Sequence, residues 1–228
     1  MCSGLSINRL FRACLLLTLS ASATLLFNEQ ARAQCSARDV MRRQPEFAEA
    51  LTVVAFPKLI ESAVATKIWK SIQVGNVANK RALYGALEDA DCSIGDTAEE
   101  MLVAPEFTLS SVATKLDLAV VSVSALGLAQ ENVALNDIYA QAQKLGFTLC
   151  PAEVGPQLRL QYFEQPIGEF LDIAMAPIRT RDGSSGMFAV GNGGAGLLLI
   201  GDEVSADTKF YQLSRFVFVR PIDAKITQ

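Results

Sequence analysis

MFAVGNGGAGLLLI, residues 187–200, admits two incompatible readings, and the choice between them decides the fold. Its centre, GNGGAG at residues 191–196, has the G-x-G-x-x-G spacing of a dinucleotide-binding turn. Such a turn must open into a helix whose N-terminus holds the pyrophosphate, with an acidic residue about 20 positions further on. Here the glycines run into LLLI and then Gly201-Asp202, which leaves too little chain between turn residues for that helix. The alternative is two short apolar strands joined by a flexible glycine loop, an antiparallel hairpin. We adopt that reading, and with it no nucleotide cofactor is expected.

Working outward, the chain after Phe147 consists of short apolar runs divided by glycine, proline and aspartate. Strands are predicted at residues 157–163, 169–175, 187–190, 196–200 and 215–220, with turns at Gln165-Pro166, Asp182-Gly183 and Asn192-Gly193. Upstream, the apolar spacing is mostly helical. A helix is predicted over residues 36–67, split by Pro57, and a second runs to about Ala90 from an Asn76 cap. Residues 97–103 and 136–145 read as further helices, the latter closed by Gly146, while the valine-rich 116–124 reads as a strand. The expected class is α+β, a helical N-terminal part followed by a mainly antiparallel β-sheet or small barrel. In segments, this gives a helical extension at 34–67, an α/β part at 68–148 and a β-rich unit at 149–228. Repeats of solenoid or propeller period are not visible.

The first 33 residues follow the order of an export signal. Arg9 and Arg12 precede the apolar run ACLLLTLSASATLLF at 13–27, and Ala31-Arg32-Ala33 supplies small residues for cleavage. The run is shorter than the roughly 20 apolar residues a spanning helix requires, so no stable membrane anchor is expected. A mature chain starting at Gln34 would be periplasmic or secreted. Loss of three arginines and Glu29 takes the net charge from −4 to about −6. That balance offers neither nucleic acid nor an anionic membrane an electrostatic footprint.

The chain contains no histidine. Ser-His-Asp and Cys-His nucleophiles and every histidine-containing zinc site are therefore excluded, and no metal site is expected. Carboxylates that could serve catalysis without histidine lie close together at Glu153, Glu164, Glu169 and Asp172. Glu153 and Glu164 are the candidate catalytic pair of a histidine-independent hydrolase, provided that they face one cleft. Glu169 and Asp172 are an odd number apart and should point to opposite faces of one strand. Cys150, in LCPAEVGP, has only Arg159 as a nearby cation and reads as a structural thiol or disulfide partner. Arg159, Arg215 and Arg220 read as surface charge flanking strands, with an anion clamp as the sharper alternative. Phe216 and Phe218 fall on one side of the last strand and read as core. Cys35, Cys92 and Cys150 remain after cleavage, allowing three pairings between which spacing does not choose.

Residues 69–221 resemble a family of uncharacterised bacterial proteins. The resemblance rests, in order, on SIGDTAEEML, LAVVSVSALGL, DIYAQAQKLGF, LCPAEVGPQLRLQY, QPIGEFLDIAMAPI and RFVFVRP. It implies no activity, and it implies that residues 150–162 with the strands after them form a shared structural unit. The chain departs from the family pattern at Phe170, where tryptophan is usual, at Ala176, where an acidic residue is usual, and in its exported N-terminal extension. Cys92 stands where the family has methionine, so it and Cys35 are features of the exported form. The resemblance thereby implies a Cys35–Cys92 disulfide with Cys150 free.

Taken together, these features lead us to expect an exported binding or interaction protein for a peptide, glycan or protein partner, with the carboxylate hydrolase as alternative. Peptide mapping of the unreduced secreted protein is expected to give an N-terminus at Gln34 and a Cys35–Cys92 cross-linked peptide. A Cys150-containing bridge would overturn the pairing.

Overall fold

The structure, a computed structural model, describes residues 58–221. Strands β1 (Lys70–Val74), β2 (Ser93–Ile94), β3 (Thr114–Ser122), β5 (Phe170–Ile173), β6 (Ile178–Arg179), β7 (Ser185–Asn192), β8 (Leu197–Glu203) and β10 (Arg215–Val219) form one mixed sheet. Its order is β1-β3-β10-β5-β7-β8-β2, with β6 also pairing β7. β5 runs parallel to β10 and β2 parallel to β8, and the remaining pairs are antiparallel. A separate ribbon joins β4 (Asn132–Ala134) to β9 (Lys209–Tyr211). The helices among the described residues are α1 (Lys80–Asp89), α2 (Asp96–Val103), α3 (Leu135–Lys144) and α4 (Val154–Gln161).

This arrangement corrects the expectation of a helical N-terminal part followed by a β-rich C-terminal part. Helices and strands alternate along the described chain, and β1 and β3 enter the same sheet as the late strands through β10. The pairing partner of a strand lies more than 100 residues away in sequence for β2 with β8, whose Ser93 is in register with Leu198, and local periodicity carries no information about it. Residues 58–67, predicted as the end of a helix, form a turn and irregular chain. Tertiary partners take the backbone groups there: Ala63 N–H donates to Leu145 O, and the Arg220 guanidinium donates to the carbonyls of Val64 and Thr66. The rest of the predicted 36–67 helix lies outside the described residues.

The second correction is α4. The short apolar runs around 157–163 were expected to form a strand, yet residues 154–161 are helical. Pro156 sits in the first turn, where its missing N–H costs nothing. Val154 and Leu158, four apart, face the core at full burial, and Gln157 and Arg159 on either side of Leu158 are buried with hydrogen bonds of their own. The remaining predicted helices and strands lie close to their expected positions, whereas the short strands β2, β4, β6 and β9 were not anticipated. α1 is capped by Asn79, whose side chain accepts from Ala82 N–H at 2.9 Å, three residues beyond the expected Asn76.

One face of the sheet receives α3, whose Tyr139 ring packs edge-on against both Phe216 and Phe218. α2 and α4 pack on the opposite face. β1 forms a sheet edge and is closed by a side chain. The Gln161 amide donates to Gln73 O at 2.8 Å and accepts from Gln73 N–H at 2.9 Å.

α2 lies almost on the backbone of β8. A Cβ at Gly201 would stand 2.5 Å from Ala98 N and 2.7 Å from Thr97 C, so the missing side chain sets the approach. Gly201→Ala is expected to destabilise by about 2–4 kcal/mol in urea unfolding, because rigid backbone has to move. Gly85→Ala, at an α1 position where an added Cβ meets nothing within 4 Å, should instead stabilise by about 0.5–1 kcal/mol.

Candidate functional site

Glu153 and Glu164 occupy opposite ends of α4 in opposite environments. Glu153 is fully buried, and its carboxylate accepts from Gly75 N–H and Ser110 N–H, each at 2.6 Å. It pins two loops and cannot meet a substrate. Glu164 is exposed and ion-paired with Lys70 at 2.6 Å, a hydrogen bond that lowers its pKa. The structure does not bring the predicted pair together.

Cys150 is buried, its thiol donates to Val217 O at 3.4 Å, and burial pushes its pKa up, so thiolate chemistry has no basis there. Cys92 is also buried, with burial raising its pKa and the nearby Arg159 opposing the rise. Cys92 and Cys150 are not bonded to each other, and Cys35 lies outside the described residues. Gly191 and Asn192 end β7, residues 193–196 form the β7–β8 hairpin connection, and no helix follows it among the described residues.

The arginines also differ from their expected roles. Arg159 is in the core, fully buried, donating to Gln165 Oε1 at 2.5 Å, Gly191 O at 3.3 Å and Tyr162 O. Arg215 binds Glu169 at 2.6 Å, and Arg220 serves backbone carbonyls. With Arg159 inaccessible, the three do not form an anion clamp. Phe216 and Phe218 are core residues, as their alternation requires.

What the structure does assemble is a cleft of about 530 Å³ where the parallel strands β5 and β10 begin. Gly168, Glu169, Phe170 and Asp172 line one side, and Tyr211, Leu213, Ser214 and Arg215 the other. Its size falls within the range of small-ligand sites. Phe170, Tyr211 and Leu213 are exposed by 49%, 67% and 82%, and Ile167, 77% exposed, adjoins the rim at Gly168. Phe170 is held in place because its ring lies across Gly191, where a Cβ would stand 2.6 Å from it.

The charges around the cleft divide into satisfied and unsatisfied. Glu169 accepts from Arg215 at 2.6 Å and from the Tyr162 hydroxyl at 2.8 Å, and both oxygens are used. Asp172 has no hydrogen bond or ion pair among the described residues. It sits in register with Ala189 of β7 and Phe216 of β10. Burial between these apolar neighbours pushes its pKa up to about 7, and the charge of Asp202 adds to the rise. Asp202 is itself raised by burial. Sequence reasoning missed Asp202. Alternation along β8 puts it on one face with Leu198 and Ile200, but its relation to Asp172 appears only once β5, β7 and β8 are in register. Among the described residues, no group of acidic or cysteine side chains is arranged to hold a metal ion.

An acid whose pKa is higher in the folded than in the unfolded chain favours folding most below its unfolded value and loses that contribution as pH rises through the folded value. For Asp172 the window runs from about pH 4 to about pH 7. Asp172→Asn should therefore match the native protein in thermal stability near pH 4 and exceed it by about 5 °C at pH 8. An equal difference at both pH values would show that Asp172 is not held against ionisation. Comparison of the chain with known proteins finds no matching family model, no matching curated protein and no matching solved structure, so the site rests on its own geometry.

Proposed function

We propose that this is an exported binding protein, periplasmic or secreted, that takes a short peptide with an apolar side chain into the cleft between β5 and the β9–β10 turn. The observation that carries the reading is the gathering of Phe170, Tyr211 and Leu213, all exposed, around one concavity. Scattered exposed apolar residues are ordinary, but a contiguous set lining a cleft is what recognition sites have. The N-terminal pattern of Arg9, Arg12, the apolar run and Ala31-Arg32-Ala33 supports export. Among the described residues, no helix is long and apolar enough to cross a membrane.

A glycan would require several polar side chains set around an aromatic platform. Glu169 and Arg215 are spent on each other, which leaves Asp172 as the acidic group of the cleft without a partner. A peptide side chain needs less. For the hydrolase alternative, a second carboxylate must face the same cleft across the scissile bond. Glu153 is inside the core, Glu164 is paired at the far end of α4, and Asp202 does not line the cleft.

Titration of the mature protein with N-acetyl-Leu-Phe-amide, followed by backbone amide NMR, tests the site. Shifts should cluster at Phe170, Tyr211 and Leu213, and Leu213→Asp should weaken binding at least about tenfold. Shifts confined to other surfaces would overturn the assignment.

A further inference from the structure

Resting on that cleft, we propose that its ligand is cationic: a peptide presenting a lysine or arginine beside its apolar side chain, with the Asp172 carboxylate as the counter-charge. Three observations converge. Asp172 lines the cleft and has no hydrogen-bond or ionic partner among the described residues, whereas Glu169 beside it is fully committed to Arg215 and Tyr162. Phe170 and Tyr211, which line the same cleft and are exposed, present aromatic rings, and aromatic faces attract cations. The cation of the cleft, Arg215, is already neutralised at 2.6 Å, so an anionic ligand would find no free positive group and would face Asp172.

A neutral ligand would cover the Asp172 carboxyl without replacing the water it displaces, an unfavourable exchange. An ammonium or guanidinium supplies donors and charge together, in a site that is partly shielded from water. The groups around Asp172 point the same way. Asp202 on β8 acts on it as a like charge, and Tyr139 on α3 has its hydroxyl engaged with Met175 O and Met187 Sδ. Ala189 and Phe216, its register neighbours, carry no charge.

A cation binds the ionised carboxylate, so binding must drive off whatever proton Asp172 holds. Affinity then rises as the pH passes upward through the neutral range, and the bound state has a lower Asp172 pKa than the free one.

Calorimetric and NMR titration of the mature protein with N-acetyl-Lys-Phe-amide, and with the same dipeptide acetylated at the lysine Nε, tests this directly. At pH 8 the cationic probe should bind about tenfold more tightly or better. That preference should fall severalfold by pH 5.5, and Asp172→Asn should abolish it at both pH values, with thermal melts confirming that the variant folds. Equal binding of the two probes at pH 8, with shifts at Phe170 and Tyr211, would overturn the cation assignment and leave the cleft intact. Shifts away from the cleft with both probes would overturn the cleft and this inference together.

Discussion

Two ionisable side chains with no access to solvent, Glu153 and Arg159, hold this fold together from either end of α4. Glu153 reaches the turn after β1 at Gly75, where Gln157 of the same helix also donates to Asn76 Oδ1, and the loop before β3 at Ser110. Arg159 gathers Tyr162, Gln165 and Gly191, which places the chain entering β5 against the end of β7. Burying a charge is costly unless its hydrogen bonds are replaced, and here backbone groups and a glutamine amide replace most of them. Arg159 Nε has no partner among the described residues, and burial lowers the pKa of the guanidinium. The helix therefore works as a polar core element, specifying where loops go more than it contributes apolar burial.

The cleft follows from the same anchoring. Arg159 and Gln165 fix the turn that precedes β5, and Asn192 Nδ2 donates to Gln165 O, so the start of β5 is held against the end of β7. On its other side β5 runs parallel to β10, and parallel neighbours cannot share a tight turn. Their beginnings are left side by side without a connecting loop, and the space between is roofed only by the chain from Tyr211 to Arg215. A concavity at that place is a product of topology. Its character then depends on which side chains alternation sends into it, and those are Phe170 and Asp172.

Where local chemistry decides conformation, the sequence was readable. The glycine loop at 191–196 announced a hairpin, Gly146 closed α3, and valines marked β3. Where conformation depends on distant partners, it was not. QLRLQ at 157–161 alternates like a strand, and only the burial of Gln157 and Arg159 among tertiary hydrogen bonds makes a helix preferable. The site shows the same division. Asp172 was visible among the carboxylates. That Glu153 would be sealed inside, and that Asp172 would be the unpartnered acid of a cleft, required the register of three strands and the fate of each neighbouring cation.

The Gln161 side chain at β1 has a bearing on how this protein can meet others. By pairing with both polar groups of Gln73 it imitates one residue of an additional strand and occupies the position where a foreign strand would begin to zip on. Exposed edges invite such addition, both by partners that extend a sheet and by copies of the same chain that aggregate. A plug at this point opposes both at once along the part of β1 that it covers. It also confines recognition by β1's neighbourhood to side-chain chemistry, so selectivity must be written in pockets and not in backbone ladders.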